Sequence, residues 1–143
     1  MELEGRIWKD GKFWLVEVPS VDVCTQGHTK KEALEMIEDA IKELIISYFS
    51  DRDAESFTIS VCDYKKNTIG ITCSDNSLIL AFSLRRQREM SKSTVRDVSE
   101  RLGSKSPNAY AQYERGNLKI TVDQFERLLQ AVNPQKYPRL RII

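Results

Sequence analysis

SPNAYAQYERG, residues 106–116, is the stretch whose reading decides the fold. A proline at the first position of a helix is tolerated, because the N–H it lacks has no intrahelical partner there. Ser106 therefore reads as N-cap, Pro107 as the first helical residue and Gly116 as the stop. Tyr110 and Tyr113, three residues apart, turn inward together, while Asn108, Ala109 and Gln112 share the opposite face. Amide side chains can hydrogen-bond adenine in bidentate fashion, and an alanine methyl can touch the methyl of thymine. An ordinary amphipathic helix would show the same pattern, so the neighbouring segments decide.

Upstream, Thr94 predicts the cap of a helix with Val95, Val98 and Leu102 inside and Gly103 just past its end. NSLILAFSLRRQREM, residues 76–90, predicts a helix before that one, capped by Ser77 or Asn76, although LILAF alone would also suit a strand. Downstream, Thr121 and Gln124 form a capping box. Phe125, Leu128, Leu129 and Val132 follow as an i, i+3, i+4, i+7 stripe that Asn133-Pro134 ends. Four short helices with a tight turn between the second and third predict a helix-turn-helix. Its third helix would enter the major groove and its second would cross the phosphate backbone. Base reading is expected from Ser106, Asn108, Ala109 and Gln112, and phosphate contacts from Arg96, Lys105, Arg115 and Lys119. The bland alternative is a helix-turn-helix kept only for dimer contacts.

The first 75 residues have a different character. EGRIWKDGKFWLVEV predicts a hairpin with Asp10-Gly11 as a type I′ turn, which needs positive φ at both central positions. Trp14, Val16 and Val18 alternate with Phe13, Leu15 and Glu17, and Pro19 ends the strand. Cys24-Thr25-Gln26 reads as a third strand closed by Gly27. Thr29 and Glu32 read as a capping box, with the glutamate reaching back to the cap amide. Ala33, Ile37, Ala40, Ile41, Leu44, Ile45 and Tyr48 then mark a helix of about five turns laid on a sheet. FTISVCDY and TIGITCS read as two more strands joined by Lys65-Lys66-Asn67. The expected fold class is α+β: a small antiparallel sheet with one covering helix over 1–75, then an all-α domain over 76–143.

Charge divides the chain at the same place. Residues 1–75 hold 9 Lys+Arg against 15 Asp+Glu, a balance of −6, and residues 76–143 hold 13 against 6, a balance of +7. The basic half is suited to a polyanion and the acidic half to a cationic partner. At 41% hydrophobic and 8% aromatic residues the chain can build cores, so disorder is not expected. No membrane span and no leader are expected. Three distant cysteines (Cys24, Cys62, Cys73) and one histidine (His28) lack metal-ligand spacing, so neither metal nor cofactor is expected, and a reducing cytoplasm fits best. No catalytic activity is expected either. Two-metal hydrolysis needs converging carboxylates, and only Glu17 and Asp63 stand on strands, with Asp10 in the hairpin turn and Asp22 in a loop.

Leu102-Gly103 and Glu114-Arg115-Gly116 around SPNAY resemble the Cro/C1-type (XRE) helix-turn-helix family. Two departures stand out: Ser104 lengthens the turn by one residue, and Val95 occupies a position where that family often has a backbone-contacting glutamine. The hairpin with its aromatic second strand, Pro19, Thr25-Gln26-Gly27, Thr29 and Glu32-Ala33 resemble the HicB antitoxin family. That resemblance implies a partial RNase H-like N-terminal domain that binds and blocks a HicA toxin, a small basic ribonuclease with a catalytic histidine. It also implies a C-terminal domain that represses the operon as a dimer or higher oligomer.

A reading from another class is a one-component transcription regulator whose N-terminal domain senses a small ligand. A unit of about 75 residues with one helix leaves little room for a ligand pocket, which favours the antitoxin. Trp8 and Trp14 are candidate toxin anchors, since interfaces favour large aromatics, and core positions suit them equally. The tail QKYPRLRII reads either as an edge strand or as a segment packed on a second protomer.

Overall fold

The computed structural model describes residues 1–139. The chain divides into two compact units, Met1–Asn76 and Ser77–Ile143.

In the first unit, β1 (Leu3–Asp10), β2 (Phe13–Val18), β3 (Val23–Gly27), β4 (Ile59–Asp63) and β5 (Thr68–Cys73) form one sheet in the order β3-β2-β1-β5-β4. Every neighbouring pair is antiparallel. Asp10 pairs with Phe13, so the hairpin loop is Gly11-Lys12, one residue later than Asp10-Gly11. Gly11 alone of that pair has positive φ, at 59°. Mirror-type turns that match strand twist include a form with glycine at the first central position, so the lysine needs no strained backbone. The β4–β5 turn carries its two positive-φ residues at Lys66 and Asn67.

Helix α1 (Lys30–Tyr48) buries Ala33, Ile37, Ile41 and Ile45, a stripe of four-residue steps, and packs across β3, β2 and β4. Leu3, Ile7, Val16, Val18, Ile69 and Ile71 are buried on the strands. At the start of α1 the Thr29 hydroxyl accepts from Glu32 N–H at 3.0 Å. Glu32 Oε2, however, accepts from the backbone N–H of His28 at 2.8 Å, one residue before the cap. The reciprocal half of the expected box is thus displaced, and the carboxylate still satisfies a backbone donor beside the positive end of the helix.

Gly27 shows how closely α1 approaches the sheet. A Cβ there would lie 2.5 Å from the backbone nitrogen of Ala33 and 2.9 Å from the carbonyl carbon of Glu32. Backbone cannot swing aside as a side chain can. Gly27→Ala is therefore expected to destabilise this unit by about 1–3 kcal/mol, the usual cost of overpacking. A lower urea midpoint with unchanged slope is the readout, and an unshifted midpoint would contradict the close contact.

The second unit contains α2 (Asn76–Met90), α3 (Val95–Arg101), α4 (Pro107–Glu114) and α5 (Val122–Val132). LILAF is helical. Leu78 to Phe82 are all buried, so this half of α2 has no polar face and shows no period. Asn76 and Ser77 lie inside the helix and do not cap it. Leu84, Val98, Tyr110, Leu128, Ala131 and Val132 form the core, with Val95, Leu102, Tyr113, Ile120, Phe125 and Leu129 packed against it. Residues 135–139 form no strand, and the remainder of the tail, 140–143, lies outside the described residues.

Candidate nucleic-acid interface

The segment from α3 to α4 is built by local rules. Thr94 caps α3 in a reciprocal box with Asp97. Its backbone N–H donates to the Asp97 carboxylate and, with the Thr94 side chain, holds that carboxyl below its ordinary range. Gly103, at φ 72°, ends the helix. Gly103 N–H donates to Glu100 O at 3.0 Å and Ser104 N–H to Ser99 O at 2.9 Å, the paired bonds of a Schellman stop. Ser104 Oγ then donates to Ser106 O and accepts from Ser106 N–H. Ser104 is therefore held through both its backbone N–H and its hydroxyl.

Ser106 caps α4, accepting from Asn108 N–H at 3.3 Å, and Pro107 occupies the first turn. Tyr110 is buried at 1% exposure and Tyr113 is half-buried against the same core. Ser106, Asn108, Ala109 and Gln112 are all exposed. Asn108, Ala109 and Gln112 lie along one side of the helix, with Ser106 at its N-terminal end. Amide, methyl and hydroxyl groups in that arrangement can hydrogen-bond and touch base edges.

The four cations predicted for phosphate are also exposed. Arg96 lies 3.9 Å from Glu100, both side chains at least 70% exposed, a contact loose enough to give way to phosphate. Lys105 sits in the α3–α4 turn, Arg115 is the C-cap of α4, and Lys119 lies in the following connection. Val95 faces the core, so the position is committed to packing.

The residues that hold α4 in place leave little trace in sequence. Arg88 on α2 grips Glu114 through two parallel bonds, Nε to Oε1 at 2.6 Å and Nη2 to Oε2 at 3.0 Å. The side chains are only 15% and 11% exposed. Tyr110 donates its hydroxyl to the same Oε1. Burial, then the Glu114 charge, pushes the Tyr110 phenol far above its usual range, and the Glu114 bond raises Arg88. Glu114 is four residues from Tyr110, a visible helical pairing, but 26 from Arg88. A second polar cluster closes α5: Arg101 Nη1 donates to Ser93 Oγ and to Ala131 O, and Asn133 donates to Gln87 in the interior.

In the first unit the two tryptophans occupy opposite faces of the sheet. Trp14 shares the helix-covered face with Val16 and Val18; Trp8 is paired with Leu15 on the other. Both are half-buried. The carboxylates likewise diverge. Glu17 pairs with Arg6 at 2.7 Å on the face away from α1, whereas Asp63 pairs with Lys30 at 2.6 Å on the face toward it. Among the described residues, no group of three or more His, Cys, Asp or Glu is placed to hold a metal ion. No helix there is long and apolar enough to cross a membrane.

Residues 84–133 match the family model HTH_3, described as helix-turn-helix. The match runs from the second half of α2 to the end of α5. The second unit thus carries a helix-turn-helix of the kind that binds double-stranded DNA in transcription regulation. No curated protein matches the chain.

Proposed function

We propose that this protein is the antitoxin and autorepressor of a toxin–antitoxin pair. The second unit binds operator DNA with Asn108, Ala109, Gln112 and Ser106 on the bases and Arg96, Lys105, Arg115 and Lys119 on phosphates. The first unit binds a HicA-like toxin, a small basic ribonuclease, and blocks it by occupation; the chain itself catalyses nothing. The observation that carries the reading is the division of charge between the two units, −6 against +7. A net-acidic unit complements the surface with which a ribonuclease holds RNA, and complementary potentials speed association and disfavour wrong partners. A cationic helix-turn-helix gains DNA affinity by releasing counterions. The HicB-like order of hairpin, Pro19, Thr25-Gln26-Gly27 and capped helix supports the same assignment. As a repressor it acts as a dimer or higher oligomer in the cytoplasm.

The test is co-expression with the short open reading frame adjacent to its gene. Growth arrest by the neighbour alone, rescue by this chain and co-purification of the two are the expected results. A neighbour that is harmless or does not bind would sink the antitoxin assignment and turn attention to small ligands of the first unit.

A further inference from the structure

After α5 comes a basic segment that the helix-turn-helix core does not use. Residues 134–143, PQKYPRLRII, hold three Lys+Arg and no Asp or Glu. Lys136, Tyr137 and Arg139 are all exposed. Tyr137, at 81%, is the most open of the large apolar and aromatic side chains described. Lys136 and Arg139 make no ion pair among the described residues. An aromatic ring left in water between two cations adds almost nothing to the core, and the second unit, with 13 Lys+Arg against 6 Asp+Glu, repels those cations. The segment is therefore explained by something outside this unit.

Its root is fixed, and the place of that root identifies the occupant. Asn133 is 5% exposed and donates to Gln87 of α2 at 2.9 Å. Ser91 Oγ donates to Val132 O, and Arg101 Nη1 joins Ala131 O to Ser93 Oγ. Ser91 and Ser93 belong to the connection that leads into α3, the helix that crosses the phosphate backbone in a helix-turn-helix. Lys92 in that connection and Arg96 in the first turn of α3 are exposed as well. Lys136 N–H donates to Asn133 O at 3.0 Å, a single turn at the root. The four residues from Lys136 to Arg139 can then reach at most about 14 Å, more than the width of one helix. We infer that this segment is an arm that grips phosphates of duplex DNA flanking the bases under α4. Lys136 and Arg139 each neutralise one phosphate, and Tyr137 between them offers a hydroxyl donor to the same backbone. Contacts of this kind lengthen the footprint and add affinity for every sequence alike. The inference rests on the DNA-binding reading and adds to it an element beyond the matched residues 84–133.

The test uses the full chain carrying Lys136→Gln with Arg139→Gln. Anisotropy titrations over a salt series take two duplexes of equal length, one from the region upstream of its own gene and one of unrelated sequence. Losing two phosphate contacts should lower the slope of log affinity against log salt by about two on both duplexes, leaving the ratio of their affinities unchanged. Exchanging the cations, Lys136→Arg with Arg139→Lys, should keep the wild-type slope. Both positions are exposed, so the melting midpoint should hold in every variant. In hydroxyl-radical footprints the outermost protected sugars should become cleavable in the Gln variant while the centre stays covered. A wild-type slope in the Gln variant overturns the inference; if its sedimentation mass falls at the same time, the segment serves a second copy of the chain instead. A wild type that prefers the upstream duplex, with no change of slope in the variant, keeps the repressor reading and removes the arm. A wild type that binds both duplexes equally, with the slope still falling in the variant, keeps the arm and removes the repressor reading.

Discussion

Glu114→Ala is expected to destabilise the second unit strongly and to lower its melting midpoint. The substitution leaves a largely buried guanidinium and a buried phenol without their acceptor. Removing one partner of such a pair costs about 3–5 kcal/mol. A unit of this size is stable by roughly 0.05–0.15 kcal/mol per residue, about 3–10 kcal/mol in all. The loss therefore takes a large share of what holds α4 against α2. Calorimetry should show a lower, broader transition, and amides of residues 107–116 should exchange faster than those of α1. Because the cost comes from stranded polar groups, replacing the trio by apolar residues should recover much of it. Arg88→Met, Tyr110→Phe and Glu114→Leu together are the variant to compare. A Glu114→Ala protein melting within a degree or two of wild type would mean that the pair contributes little.

The second large effect concerns sequence reading. Asn108→Ala with Gln112→Ala removes two exposed amides from α4 without touching the core. Each bidentate base contact discriminates by about 1–3 kcal/mol, so the double variant should lose affinity for the operator by roughly 30-fold to more than 10,000-fold. Its affinity for unrelated duplex should be unchanged, and so should any binding of the toxin proposed as partner of the first unit. Arg115→Ala should behave differently, weakening all sequences alike and lowering the slope of affinity against salt by about one. Anisotropy titrations over a salt series separate the two. If both variants lose specific and non-specific binding equally, α4 is not the reading helix.

These predictions draw on features of unequal visibility in the sequence. Pro107 with Ser106, Thr121 with Gln124, and Gly103 after Leu102 act within four or five residues, and the elements they mark stand where the sequence places them. The exposure of Asn108, Ala109 and Gln112 follows from helical period alone, once the core side is known from Tyr110. Where several local solutions compete, the reading slips by one position. Asp10 is the last residue of β1 rather than the first of its turn, and Glu32 reaches His28 rather than Thr29. An all-apolar run such as LILAF carries no period to separate helix from strand. Long-range partners are not visible at all: nothing near Arg88 announces Glu114, and nothing near Leu3 announces that β1 lies between β2 and β5.

The placement of Trp8 and Trp14 on opposite faces makes the first unit its own optical probe. An indole's emission colour depends on the polarity and mobility of what surrounds it. One of these two lies on the face of the sheet toward α1, the other on the opposite face. In a Trp14→Phe protein the remaining emission comes from Trp8 alone, and in Trp8→Phe from Trp14 alone. A partner that lands on the face away from α1 shifts the first spectrum and leaves the second nearly still. One that displaces α1 does the reverse. The face on which the partner proposed for the first unit docks can thus be located by colour, without a label and before any complex is crystallised.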